Sequence, residues 1–502
     1  MPPRTPSPPS SLLRSRLARH AAAAALAALA TAAAHAGELQ DDLAARRARL
    51  MQALGPEALF VHRSAPVKAY STDVDYEYRQ DSDLLYLTGI DQEGTVLVLM
   101  PGNRAKREIL FVGDPDPRKE HREGHLLTPQ EASAASGIAE VRLASELDRF
   151  LTDMMNRRPF DTRWSRYEGE FEAFFDALLA GRARLALVFG RRPGPAEELP
   201  PVYAFAEQLR QRFVGASVVD ATASLWALRH VKTPYEQQVL RRSGEVSSEA
   251  HRAALRAARP GRYEYEVEAA LEQVYLERGA SGWSYPSIVG SGPNATVLHY
   301  DRSSRQMQAG ELLLIDAAAN DQGLTVDITR TWPVSGRYSP EQAALWSLVL
   351  EAQEAGMRAA VVGNTTADVE RAVEGVVRAG LARLGLVTDA RSEQFRTWYT
   401  HGICHWIGMD VHDEGDYRRP LEPGMAFVIE PGLYVREAAL QALPDTPENR
   451  AFREAVAAAV ARYKDIGVRV EDSFLLTGKG LERLSAGVPR TPDEIAAFLA
   501  KP

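Results

Sequence analysis

Apolar runs along this chain change length and spacing in a way that divides it. Between about Glu38 and Ala223, the runs Ala58–Val61, Leu84–Leu87, Thr95–Met100, Ile109–Val112, Leu185–Phe189 and Val218–Val219 read as short strands. Helical stretches such as Tyr203–Arg212 lie among them, which predicts an α/β domain. The polar segment Tyr78–Asp83 reads as a structural turn. Beyond Lys232 the signals sharpen. Thr233-Pro234-Tyr235-Glu236 is a capping box with Pro at the first helical position, so a long helix is expected to end near Pro260-Gly261. A second helix over about Tyr263–Arg278 stops at Gly279, and two strand regions follow that carry His299, Asp316 and Asp327. The order then recurs. Ser339-Pro340-Glu341-Gln342 opens a helix to about Ala359, another covers Ala367–Leu384, and further strand regions carry His401, His405, Glu430 and Glu471. This repetition predicts two similar halves closing around one cleft, although their sequences are not visibly alike.

Composition narrows the alternatives. A chain of 502 residues with 45% hydrophobic content has material for two or three packed domains. The net charge of -8 and the lack of a sustained basic block argue against a nucleic-acid groove. At the N-terminus, Arg14, Arg16 and Arg19 precede the uncharged run Ala21–Ala34 and a small-x-small site at Ala34-His35-Ala36. Residues 1–36 are therefore read as an export signal, which implies a periplasmic or secreted protein; a disordered Ala/Pro leader and a start codon placed too early are the competing readings. The run is too short to cross a bilayer, so no membrane span is expected. The single Cys404 rules out an intramolecular disulfide and leaves export open.

The chemistry lies in acidic residues at the ends of apolar runs. Leu312–Ile315 ends in Asp316, Val326-Asp327-Ile328 sets a second carboxylate eleven residues later, Phe427–Ile429 ends in Glu430, and Val468–Val470 leads into Glu471. Carboxylates in such positions are costly unless paired or metal-bound. Asn320–Gly323 reads as a hairpin connection that brings the two Asp residues together. The block from His401 to His412 concentrates three of the chain's 11 histidines. His401 and His405 have i,i+4 spacing, but Gly402 and Gly408 argue for an extended or looped segment over a helix. Four carboxylates and His405 make an oxygen-rich set suited to a pair of divalent cations.

These residues resemble the pita-bread metallopeptidases, in particular the Xaa-Pro aminopeptidases (aminopeptidase P). The resemblance rests on Ile315-Asp316-Ala317, Asp327–Thr331, the His401–Asp413 block, Glu430–Tyr434, Arg469–Asp472 and an N-terminal stretch at Tyr78–Gly89. It implies a leader over 1–36, an α/β creatinase-like N-terminal domain over 38–225, and an α+β pita-bread catalytic domain over 226–502 with an internal pseudo-two-fold repeat. It further implies that Asp316 and Asp327 chelate one metal, His405 binds the other, and Glu430 and Glu471 complete or bridge the pair. His299, His401 and His412 fall on substrate-facing positions, and Arg469 behind a carboxylate ligand. The implied reaction is removal of the N-terminal residue from peptides with proline second, by attack of a metal-bridging hydroxide with Glu430 relaying the proton. Manganese is the expected metal, with zinc or cobalt as substitutes, and the family suggests a homo-dimer or tetramer. Ala318 and Leu324 depart from the family's usual Gly and aromatic, and the Ala/Glu/Arg-rich connection Arg436–Asp465 is expected to form an extra helix beside the cleft. A dipeptide-restricted prolidase, a metal-independent creatinase-like hydrolase and a catalytically silent binding protein are the alternatives.

Overall fold

The computed structural model describes residues 37–160 and 169–500. The expected export signal at 1–36 lies outside them. The chain divides into two compact units, Met1–Ser224 and Leu225–Pro502.

The first unit is built on a six-stranded mixed sheet of β1 (Ala58–Arg63), β2 (Val96–Leu99), β3 (Glu108–Val112), β4 (Val141–Leu143), β5 (Ala183–Leu187) and β6 (Ala216–Asp220), in the order β4-β3-β2-β1-β5-β6. The β1–β2 and β2–β3 pairs are antiparallel, whereas β3–β4, β1–β5 and β5–β6 are parallel. Helices such as Leu147–Met155 and Glu172–Leu179 bury Phe150, Met154 and Phe174 against β1, β3 and β5 side chains. One expected strand is instead helical: Leu84–Leu87 lies within the helix Ser82–Thr88. The reason is local. Asp81 accepts the Leu84 backbone N–H as an N-cap, and Gly89, in the left-handed region at φ 66°, closes the other end.

The second unit carries four small antiparallel sheets. Introduced in chain order, the strands are β7 (Gly282–Trp283), β8 (Ile288–Ser291), β9 (Leu312–Asp316), β10 (Ala319–Asp321), β11 (Leu324–Thr325), β12 (Thr329–Pro333), β13 (Ala426–Ile429), β14 (Gly432–Val435), β15 (Ile466–Arg469), β16 (Asp472–Thr477) and β17 (Gly480–Arg483). They group as β12-β9-β8, β11-β10-β7, β13-β16-β17 and β14-β15. Helices Pro234–Ala257 and Glu264–Glu277 precede the first strands, and Pro340–Ala359 and Thr366–Leu384 precede the second set. Both long opening helices start on the expected capping boxes.

Each of these long helices anchors strand ends through polar side chains. From Pro234–Ala257, Ser243 Oγ donates to the Ala319 carbonyl at 2.6 Å, and His251 Nε2 bonds the Ala317 carbonyl at 2.8 Å. From Pro340–Ala359, Gln353 Nε2 donates to the carbonyls of Ile429 and Val470 at 3.1 and 3.2 Å, and to the Asp472 carboxylate at 3.0 Å. Such buried backbone acceptors need partners where the ladder stops, so the segments leading to Glu430 and Glu471 are tied to one rigid helix.

The Ala318 position is fully buried, and Leu324 is 3% exposed. The tight hairpin between β10 and β11 places Gln322 at φ 50° and Gly323 at φ 81°, the two positive values that a type I′ connection requires. The connection after β14 does form the expected helix, Pro447–Tyr463, after one short helical turn at Glu437–Gln441. Its Phe452, Val456, Val460 and Tyr463 join the core built from Leu345, Val349, Phe427 and Val468.

Candidate metal centre

Asp316 is the last residue of β9 and faces Thr329 of β12 in register. Asp327 was expected inside a strand, but it occupies a break between β11 and β12. There its backbone N–H donates to Ser473 Oγ at 2.8 Å, and its carbonyl accepts from the same hydroxyl at 2.7 Å. The break frees Asp327 from ladder geometry. His405 lies in the expected looped segment, Glu430 follows β13 directly, and Glu471 separates β15 from β16.

These five side chains meet. Single ligand atoms of Asp316, Asp327 and Glu471 lie within 4.8 Å of one another, and so do those of His405, Glu430 and Glu471. Glu471 is common to both sets. His405 Nε2 stands 3.6 Å from Asp327 Oδ2, 3.7 Å from Glu430 Oε1 and 3.8 Å from Glu471 Oε1. Its other nitrogen, Nδ1, is 3.2 Å from the Trp406 carbonyl, which assigns the proton to Nδ1 and leaves the Nε2 lone pair aimed at the carboxylates. A second grouping in the N-terminal unit, His62, Asp81 and Asp83, is already committed: His62 Nε2 bonds Asp81 Oδ1 at 2.8 Å, and Asp81 caps a helix.

The electrostatics are those of a site that needs cations. Burial pushes Asp327 well above the usual carboxylate range, and the adjacent Asp316 pushes it further. Glu471 is raised in the same way by burial, then by Asp327 and Asp316. Glu430 rises to about 8 through burial and the Glu471 charge. Asp316 goes the other way: burial opposes its ionisation, but the Arg469 guanidinium holds it below its ordinary value. Glu471 is 1% exposed, and while its Oε2 accepts from Thr329 Oγ1 at 2.7 Å, its Oε1 accepts no hydrogen bond among the described residues. Dehydrated, crowded carboxylates with a spare buried oxygen fit divalent ions well.

Around this core runs a polar chain with a definite sense. Arg469 Nη1 donates to Tyr434 Oη at 2.7 Å, so the Tyr434 hydroxyl donates onward to His401 Nε2 at 2.9 Å. His401 Nδ1 then donates to the Gly402 carbonyl at 2.7 Å, 3.3 Å from Glu430 Oε2. Burial, then Arg469, lowers His401 to about 4, so the ring is neutral near pH 7 in a single tautomer. His412 stacks on His405 with ring centroids 3.9 Å apart, and its ligand nitrogen groups with Asp327 and His405. His299 sits on an exposed loop after Gly292–Thr296. All nine residues singled out from the sequence, Asp316, Asp327, His405, Glu430, Glu471, His299, His401, His412 and Arg469, line one cavity of about 660 Å³, whose apolar wall includes Ile288, Leu298 and Val411.

Sequence reasoning missed Tyr285. Its hydroxyl lies 2.6 Å from Asp316 Oδ1 and also contacts Asp327 Oδ1, so it sits between two expected ligands. Nothing in Gly-Trp-Ser-Tyr-Pro marks it by spacing or period. Asp413, adjoining His412, is buried under Lys232 and Arg229, with Lys232 Nζ 2.7 Å from Oδ2. That network fixes the end of the histidine segment.

Comparison with known proteins identifies the family. Residues 238–478 match metallopeptidase family M24, and residues 43–162 match the aminopeptidase P N-terminal domain. The chain is 32% identical over 464 residues to an Xaa-Pro aminopeptidase of Escherichia coli, covering 90% of this chain and 96% of that one. It superposes on a solved structure of Pseudomonas aeruginosa aminopeptidase PepP with TM-score 0.76 and 33% identity, over 92% of this chain and 98% of the other. Aminopeptidase P from Escherichia coli, solved with the inhibitor Pro-Leu, gives TM-score 0.74 and 29% identity over the same shares. The pita-bread catalytic fold with its creatinase-like N-terminal domain is therefore the architecture of this chain, a metallo-hydrolase that belongs to metallopeptidase family M24, among the Xaa-Pro aminopeptidases.

Proposed function

We propose that this metallo-aminopeptidase removes the first residue of peptides with proline second, using two divalent ions held by Asp316, Asp327, His405, Glu430 and Glu471. The convergence of these five groups into two sets sharing Glu471 carries the reading. Manganese suits the carboxylate majority. When bound, such a pair supplies an activated water and a Lewis acid for the scissile carbonyl.

The chain's own residues do the rest. Glu430, at the edge of the set and half-buried, takes the water proton and returns it to the departing proline nitrogen. His299 and His412, both exposed to the cavity, donate hydrogen bonds to the carbonyl oxygen as charge develops on it. His401, fixed through Tyr434 and Arg469, walls the cavity near Glu430. The substrate's amino terminus lies near Asp316, which limits attack to the first peptide bond.

A short series tests this: Ala-Pro-Ala, Ala-Ala-Ala and the dipeptide Ala-Pro, assayed with metal content measured on the same sample. Cleavage of the first alone, at two manganese per chain, is expected. Cleavage of Ala-Pro with the tripeptide spared would replace this reading with a prolidase. Export through the 1–36 leader belongs to the same proposal, and the N-terminus of the mature protein recovered from cells checks it. Sedimentation decides whether the chain assembles as a dimer or tetramer.

A further inference from the structure

A second cavity of about 460 Å³ adjoins the first, and His401 and Gly402 line both. Gly402 is exposed, and a Cβ added to it would meet nothing within 4 Å. Where the two linings meet, Gly402 therefore contributes no side chain.

The charges in this second cavity are unevenly answered. Glu374 lies 3.2 Å from Arg396 Nη2 and 3.7 Å from Arg378 Nη2, so its charge is met. Glu370, one turn earlier on the helix Thr366–Leu384, has no hydrogen-bond or ion-pair partner among the described residues. It is half-buried. Burial, then the neighbouring Glu374, raises it above the ordinary carboxylate value, and Arg396, which lines the same cavity without pairing with it, offsets only part of that rise.

We propose that this second cavity is a downstream subsite, which receives a lysine or arginine side chain from the part of the peptide beyond the proline and pairs it with Glu370. The inference rests on the aminopeptidase reading above. A peptide anchored by its first residue at the metals must lead its remaining residues out of the cavity, and the cavity that holds Glu370 is the neighbour sharing His401 and Gly402 with it. An incoming cation there gains a carboxylate already partly stripped of water. A neutral side chain gains nothing comparable.

The test uses the metal-loaded full chain and the peptides Ala-Pro-Xaa-Ala and Ala-Pro-Ala-Xaa, with Xaa as Arg, Gln or Glu. The expected result is that Arg at one of the two positions raises kcat/KM about fivefold over Gln, chiefly through KM, as a single half-exposed ion pair would. Glu370→Gln should erase that preference and leave the Gln peptides unchanged, while Glu370→Lys should reverse it toward Glu. An unaltered charge preference in Glu370→Lys overturns the subsite, as does wild-type protein that cleaves all peptides alike. Failure to cleave even the Gln peptides would instead remove the aminopeptidase reading, and this proposal with it.

Discussion

Replacing Asp472 by Asn should cost the catalytic unit several kcal/mol without touching a metal ligand. Asp472 is fully buried beside Glu471, and its Oδ1 accepts from Arg330 Nη2 at 2.6 Å, while Oδ2 accepts from Gln353. Arg330 is itself 1% exposed. Asn keeps the shape but removes the charge, and its amide sets a donor against either Gln353 Nε2 or the two donors on Oδ1, Arg330 Nη2 and Ser485 Oγ. Breaking a buried pair by neutralising one partner typically costs about 3–5 kcal/mol, because the remaining ion is left dehydrated. At about 2–4 °C per kcal/mol for a domain of this size, the catalytic transition should fall by roughly 6–20 °C. Calorimetry with chelator present measures this without contributions from metal binding. The double change Arg330→Met with Asp472→Leu should regain most of the loss, since apolar replacements of similar volume often match a buried pair. Yet it should still weaken metal binding, because Arg330 Nη1 also donates to the Glu471 carbonyl at 2.6 Å and positions that ligand. A single-mutant shift under about 2 °C, or a double mutant as unstable as the single, would refute the reasoning.

Three further outcomes are expected. Glu430→Gln should lower kcat by about a hundredfold to ten-thousandfold, the usual range for losing a general acid-base group, with activity assayed at saturating metal; turnover near wild type would show that the proton moves elsewhere. Adding manganese at about a thousand times its dissociation constant should stabilise the catalytic unit by about 4 kcal/mol per site and leave the N-terminal unit's transition in place, and chelation should reverse it. Asp413 and Asp472 are both held below the ordinary carboxylate value against the opposing effect of burial, by Lys232 and Arg229 in one case and by Arg330 and Arg483 in the other. A depressed folded-state value means that each contributes full stability above the unfolded value near 3.8 and loses it as pH falls through the lower folded value, so denaturant midpoints should be insensitive to these two groups above about pH 5 and drop steeply below pH 4.

Much of the catalytic domain was legible because its signals are redundant. The Thr233 and Ser339 capping boxes both open helices, and the run Leu312–Ile315 leads to Asp316 as its alternation-free burial implied. Leu84–Leu87 was misread because a four-residue apolar run has no period of its own, and the deciding signal was the capping Asp81 three residues before. Asp327 was placed in a strand by Val326 and Ile328, both fully buried, but burial on either side does not require a ladder: Ser473 satisfies its backbone instead. Tyr285 and the Arg330–Asp472 pair stayed invisible for a simpler reason. Their partners lie far away in sequence, and only the fold makes them neighbours.

The sharing of Glu471 between the two groups of converging side chains also bears on the order of events during folding. Asp316 and Asp327 come from the stretch of chain after the first helix pair, whereas His405, Glu430 and Glu471 come from the stretch after the second. A nascent chain whose first half has already collapsed presents two acids and little else to a passing ion. Tight capture has to wait until nearly the last strand has docked, so cation uptake would report completion of the domain and would not seed it.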